Sequence, residues 1–401
     1  MMQTWILAWR YWWSRPLSAV LNLVLLSLGL ASMAFVLMTI NQIDQAFKRD
    51  LHGIDAVVGA KGSPMQLILS GVLHIDIPPG NIPLKALSTL RSNPQVQQVI
   101  PISLGDNFRG FRIVGTSTDY AQLYGVELQE GQLWTGPMQA VIGAAVAKTV
   151  GMKLGDRFVG SHGLGMGGHV HGEFPYDIVG VLKPTGGVVD RLILTDTASV
   201  WKVHEAATAN DADDLKVLQE EREVTMALVR YNTPLAAVTF PRWVNAQTDM
   251  QAAAPAFEIT RLLHMMGLGT DVLQGFAIVM LATAGMSVFI ALWSAVRERQ
   301  ADLALLRMLG ASPAQLAGLL LAEAVWLAML AAALGLLLGQ GGAWLLAHQM
   351  ALDQTLLIAG LAWLSTLWLV PVVALAVALL AALLPVWSVY RISVLQQLQR
   401  S

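Results

Sequence analysis

Three histidines and a glutamate fall within one glycine-rich stretch, His162-Gly-Leu-Gly-Met-Gly-Gly-His169-Val-His171-Gly-Glu173. In an extended conformation His169, His171 and Glu173 alternate onto one face of the chain, and the glycines allow His162 to fold back towards them. Two imidazoles and a carboxylate are a donor set for Zn²⁺ or Cu²⁺. The spacing therefore points to a zinc site made by His162, His169, His171 and Glu173. A glycine-rich surface loop without a ligand, or one that touches a partner, is the competing reading. Hydrolytic chemistry has no foothold, because neither H-E-x-x-H nor G-x-S-x-G occurs. The phosphate-loop pattern G-x-x-x-x-G-K-[ST] is also absent. Gly59-Ala-Lys61-Gly62-Ser63 has the composition of such a loop but the wrong spacing, and reads as a glycine turn. With no cysteine, a disulfide, an iron–sulfur cluster or a thiolate zinc site is impossible in these 401 residues. The sequence thus offers no motif for metalloprotease, serine-hydrolase or phosphate-loop chemistry of its own.

A second group of polar residues is confined between two apolar runs. Arg297-Glu-Arg299-Gln-Ala-Asp302-Leu303-Ala-Leu-Leu306-Arg307-Met-Leu-Gly310 puts charge on one side of a helix over 297–309, with Arg299 and Asp302 as i,i+3 neighbours and Leu303 and Leu306 on one face. Gly310 suits a helix stop. Ser312-Pro313-Ala-Gln315 then restarts a helix through a capping box, with proline in the first turn. Such a helix either presents itself to a partner or lies solvated on the membrane surface. Nearby, Glu323 is the one charged residue in 314–346. A membrane carboxylate is costly and marks function by default; bonding to a neighbouring helix or a second copy, inner-face coupling and proton relay are its candidate roles. Gly335 and Gly339 form a small-xxx-small face suited to close helix association.

The elements that must position these residues are written in the hydropathy. Charged residues make up only 13% of the chain and hydrophobic ones 55%, against about 25% charged in soluble domains. Apolar runs at 17–40, 272–296, 315–346 and 356–387 each exceed the ~20 residues that cross a bilayer as a helix, and Pro371 is a candidate kink. The first run is longer than the ~7–15 residues of a signal-peptide core and reads as an uncleaved anchor. Trp5, Trp9, Tyr11, Trp12 and Trp13, interleaved with Arg10 and Arg15, suit an interfacial helix over the first residues. Short flanks carry Arg10, Arg15, Arg297, Arg299, Arg307, Arg391 and Arg400 against Glu298 and Asp302. Positive short flanks place them, and both termini, in the cytoplasm, with 42–271 outside.

The expected fold is therefore a membrane protein of four transmembrane helices with a large α+β extracytoplasmic domain inserted between helices 1 and 2. Residues 1–41 hold the interfacial helix and first span, 42–271 the external domain, and 272–401 three spans with the helix 297–309 between two of them. Within 42–271, strands are expected at 96–101, 108–115, 139–143, 176–182, 191–195 and 225–229, and helices at 144–150, 197–205 and 234–248. Residues 132–205 suggest a β-rich subdomain inserted in the rest. Nothing in the charge pattern suits nucleic acid.

The stretch Arg297 to Ser312, followed by Leu319-Leu-Leu-Ala-Glu323-Ala, closely resembles the signature of the MacB/FtsX/LolC-type permease family. Ala8-Trp-Arg10-Tyr is similar to the family's N-terminal helix. Gln139-Ala-Val-Ile-Gly143, Gly151-Met-Lys-Leu-Gly155-Asp156 and Tyr176-Asp-Ile-Val-Gly180-Val-Leu resemble its external core. The order of one span, a large external domain and three spans agrees. The resemblance implies a permease subunit of an ATP-binding-cassette system in a bacterial inner membrane, a multi-pass protein with no cofactor of its own. ATP and Mg²⁺ would be bound by a partner ATPase, and Arg297, Arg299, Asp302, Leu303, Leu306, Arg307 and Gly310 would couple to it. It also implies pairing with a second permease copy and movement of the external domain, with a periplasmic or outer-membrane partner as a further expectation. Two other functions compete: zinc-linked transport or sensing through the histidine loop, and a signalling scaffold regulating cell-wall hydrolases.

Overall fold

The computed structural model describes residues 6–10, 16–163, 174–208, 211–298, 300–352 and 365–390. These residues form two compact units: a helical one that contains residues up to Gln42 and Met266–His348, and an α/β one that contains Ile43–Met265.

In the helical unit, four helices are long and apolar enough to cross a membrane: Pro16–Asp50, Gln274–Glu298, Pro313–Gln349 and Thr366–Tyr390. Two of these spans belong to longer helices, Pro255–Glu298 and Pro313–Leu352. Small or branched apolar residues recur every fourth position along the packed faces. Leu26, Leu30, Ala34 and Met38 meet Ala284, Val288 and Leu292, the alanines at 324, 328 and 331, and Val370, Ala374, Ala378 and Ala382. An i+4 row is a ridge on the helix surface, and alanine ridges bring helix axes close together. Ser287 adds a polar tie, donating to Asn22 Oδ1 at 2.6 Å. Pro371 falls in the first turn of the helix Leu369–Tyr390, where its missing N–H removes no helical bond; the proline inside that helix is Pro385. Residues 353–364, the start of the fourth apolar run, lie outside the described residues.

The α/β unit is built on one sheet. Its main path runs Met250–Ala253, Ala56–Ala60, Met226–Tyr231, Val96–Phe108, Phe111–Thr116, Leu192–Asp196, Gln139–Ile142, Tyr176–Leu182 and Leu128–Gly131. Leu192–Asp196 pairs parallel with 112–116, and Gln139–Ile142 parallel with Tyr176–Leu182. The remaining pairings along the path are antiparallel. All six expected strands are present, and the helices stand at Ala144–Val150, Thr197–Thr208 and Ala236–Gln247. The strands of 132–205 join this same sheet and share an apolar core, Ile142, Phe158, Tyr176 and Ile178, with Phe111 and Ile113. Gly59 and Ala60 end the strand Ala56–Ala60, and Lys61–Ser63 turn into the helix Pro64–Gly71, with Lys61 facing Asp249 at 3.8 Å.

Candidate functional site

Two sites come forward, one in each unit. In the helical unit, helix is present up to Glu298 and again over Gln300–Met308, and Arg299 between them lies outside the described residues. The end of Gln300–Met308 is set by local chemistry. Gly310 adopts φ +97°, a conformation that side chains with a Cβ disfavour. The Ala311 N–H donates to the Leu306 carbonyl at 2.9 Å and the Gly310 N–H to that of Arg307 at 3.1 Å, which is the paired pattern of a Schellman stop. The restart is the expected capping box. Gln315 N donates to Ser312 Oγ at 3.3 Å, and Ser312 N donates to Gln315 Oε1 at 2.8 Å.

The orientation of this helix differs from a simple outward Leu face. Leu303 is 4% exposed and Leu306 is half-buried, both against Val296, Leu316, Leu320 and Val389 of the same chain. The main apolar stripe of this segment thus holds it on its own neighbours. Among the described apolar side chains here, Leu305, Met308 and Leu309 are exposed, the last to 85%. Arg297 is exposed and lies over the Trp293 ring at 5.6 Å. Arg299 and the Asp302 side chain lie outside the described residues. Glu323 is buried, on the helix whose Leu319, Ala322 and Trp326 cluster with Ala8; the Trp9 and Trp326 rings are 5.2 Å apart.

Gly335 and Gly339 also turn inward. A Cβ at Gly335 would stand 2.7 Å from Leu30 Cβ, and one at Gly339 2.7 Å from Ala34 Cβ and 2.9 Å from the Ala31 carbonyl oxygen. The small face expected to permit association is therefore occupied by the chain's own first long helix.

In the α/β unit, His162 is brought to two residues the sequence reading did not single out. Asp106 lies on the long strand Val96–Phe108 and His162 on the short strand Ser161–His162, and the two are direct antiparallel partners. Directly opposed residues share a face with Cβ atoms ~5 Å apart. His204 comes in from the helix Thr197–Thr208. His162 Nδ1 is 3.4 Å from Asp106 Oδ1, and His204 Nε2 is 3.8 Å from Asp106 Oδ2. Asp106 is buried, while both imidazoles reach solvent. Burial and the Asp106 charge together push the Tyr176 phenol well above its ordinary range. His169, His171 and Glu173 lie outside the described residues.

The comparisons with known proteins fit both units. Residues 19–238 match the model of the MacB-like periplasmic core domain, and 275–394 that of the FtsX-like permease C-terminal region. The chain belongs to the MacB/FtsX family of ABC transporter permeases. Among curated relatives, the pyoverdine export ATP-binding/permease protein PvdT of Pseudomonas fluorescens (strain Pf0-1) is 24% identical over 374 residues, covering 88% of this chain and 54% of that protein. PvdT of Pseudomonas syringae pv. tomato is 23% identical over 369 residues, covering 87% and 53%. This permease thus spans about half the length of these relatives. Among solved structures, the periplasmic region of MacB from Actinobacillus actinomycetemcomitans aligns over 54% of this chain and 96% of its own, at 13% identity and a TM-score of 0.34. The four apolar helices and the MacB-like domain between the first two mark a multi-pass membrane protein.

Proposed function

We propose that this permease couples ATP hydrolysis, carried out by an ATP-binding unit outside these 401 residues, to movement of its MacB-like domain, and that the helix Gln300–Met308 is the point of contact. The observation that carries this reading is the division of labour on that helix. Leu303 and Leu306 fix it to the spans, while Leu305, Met308 and Leu309 remain exposed apolar side chains. A helical segment that stops at Gly310 and packs through Leu303 on the chain's own spans passes a push from its exposed side to those helices. The chain itself then performs no catalysis. The positive short flanks support a bacterial inner-membrane location with both termini and this helix in the cytoplasm. The family supports a complex of two permease copies with two ATP-binding subunits.

The experiment is co-purification of the ATP-binding subunit with wild type, Leu309→Asp and Leu303→Asp. Full burial of a leucine contributes about 1.5–3 kcal/mol, and a carboxylate left in a dry contact costs more. Leu309→Asp should therefore weaken the complex by about 100-fold or more, with normal membrane insertion and thermal stability. Leu303→Asp should instead lower the stability of the permease itself. Retained co-purification and ATP turnover in Leu309→Asp would refute the reading.

A further inference from the structure

We propose that Asp106, His162 and His204 form a binding site for a divalent transition-metal ion of the zinc class in the MacB-like domain. This inference is independent of the coupling helix and goes beyond it, since it assigns a ligand to the other unit of the molecule.

The three side chains each offer one ligand atom, and these atoms all lie within 4.8 Å of one another. Tetrahedral zinc holds nitrogen and oxygen ligands at about 2.0–2.1 Å, which sets neighbouring ligand atoms ~3.3 Å apart. Asp106 Oδ1 stands at this spacing from His162 Nδ1, at 3.4 Å, and Asp106 Oδ2 stands 3.8 Å from His204 Nε2, so an ion shared by both imidazoles takes the carboxylate through both oxygens or after a small rotation of it. Each carboxylate oxygen faces a different imidazole. The two rings meet edge to face, 76° apart with centroids at 5.4 Å, so they converge on the carboxylate instead of stacking on each other.

The surroundings hold this geometry. Asn107, the next residue on the strand, is buried and donates its side-chain amide to the carbonyls of Ser161 and Gly163 at 3.2 and 2.8 Å. Gly163 N donates to the Gly105 carbonyl at 2.8 Å. His162 is therefore tied to the Asp106 strand on both sides. At Gly105 a Cβ would stand 3.0 Å from His204 Nε2; glycine leaves room for that nitrogen to approach the strand.

The donor set selects the ligand class. Two imidazole nitrogens and one carboxylate suit Zn²⁺, Cu²⁺ or Ni²⁺, whereas Ca²⁺ and Mg²⁺ prefer all-oxygen shells. The burial gradient gives the site a direction. Asp106 is buried, and His162 and His204 line an open cavity of about 1140 Å³ together with Trp201 and Glu205. Three protein ligands with a fourth position open to solvent suit an ion that exchanges, in contrast to the closed four-ligand shell of a structural zinc.

The test is metal binding by the full-length protein in detergent. Zn²⁺ is titrated in competition with a chromogenic chelator, and Co²⁺ serves as a visible-absorption probe of coordination. One Zn²⁺ per chain is expected, with a Co²⁺ spectrum of a low-coordinate nitrogen–oxygen site. His162→Gln and His204→Gln should each weaken Zn²⁺ binding by more than about tenfold, the loss typical of removing even an outer-shell partner, and should change the Co²⁺ spectrum. Both imidazoles are partly exposed, so these variants retain the wild-type melting temperature; Asp106→Asn is the third variant, judged only if it does the same. Wild-type affinity and spectrum in both histidine variants would overturn the proposal. So would retention there combined with loss in His169→Ala/His171→Ala, which would put the ion elsewhere, and so would absence of stoichiometric binding by the wild type.

Discussion

Replacing Gly339 by alanine tests how the membrane helices are held together. The added Cβ would lie 2.7 Å from Ala34 Cβ and 2.9 Å from the Ala31 carbonyl oxygen, against an optimum of ~3.5–4.0 Å for carbon contacts. Neither atom can rotate away, since one is itself a Cβ and the other is backbone. The two helices must separate locally, and overpacking of this kind costs about 1–3 kcal/mol. Alanine offsets about 1 kcal/mol of that through its better helix propensity, leaving a net loss of about 0–2 kcal/mol. The double variant Gly339→Ala/Ala34→Gly isolates the contact, because the propensity changes at the two positions oppose each other. Removing the Ala34 methyl reopens the space, so the double-mutant cycle should show a favourable coupling of about 1–2 kcal/mol. The assay is reversible unfolding in mixed micelles, with the mass of the native complex measured in parallel. Additivity within about 0.5 kcal/mol, or unchanged stability together with a change in oligomer mass, would show that the glycine face does not pack on Pro16–Asp50 of its own chain.

Three further outcomes follow from individual sites. His74 is buried with its Nε2 3.1 Å from the Tyr120 hydroxyl, and burial, aided by Arg112 and Arg191, lowers its pKa well below 6.5. The unfolded chain binds that proton first, so stability should hold above pH ~6.5 and fall below it by up to about 1.4 kcal/mol per unit; in His74→Asn, where asparagine tolerates the φ of +55°, this acid slope in thermal unfolding should flatten. Gly310→Ala meets no neighbouring atom within 4 Å, so its cost of about 1–2 kcal/mol is conformational, and Gly310→Asn should recover part of it in the same unfolding assay. Asn107→Leu leaves the Ser161 and Gly163 carbonyls without their side-chain donor, at about 1–3 kcal/mol, and should weaken Zn²⁺ binding about 10–100-fold with His162 intact.

Local features of this fold were readable in the sequence because their causes are local. The Gly310 stop and the Ser312/Gln315 box involve residues three to five apart, and the spans need only a hydropathy run. Strands such as Tyr176–Leu182 stand out by β-branched composition between turn residues. What escaped depends on register and on which element packs where. An amphipathic helix has an apolar face, but its pattern does not say that Leu303 and Leu306 turn to the chain's own spans while Leu305 and Leu309 face out. Likewise Gly335 and Gly339 announce a close approach without naming Pro16–Asp50 as the partner. Asp106 and His204 become neighbours of His162 only through the pairing of 106 with 162 and the placement of Thr197–Thr208. One signal was present: Asp106-Asn107 interrupts a strand that is otherwise largely apolar and buried.

Because the chain has no cysteine, single thiols can be placed without background, and disulfide or short bifunctional crosslinking to the ATP-binding subunit measures the contact directly. Leu305→Cys and Leu309→Cys should crosslink to that subunit, more efficiently when ATP is bound, while Leu303→Cys, 4% exposed against Val296 and Leu316, should not. Equal crosslinking from all three positions, or none from Leu305→Cys and Leu309→Cys in an assembled and active complex, would contradict transmission through the helix Gln300–Met308.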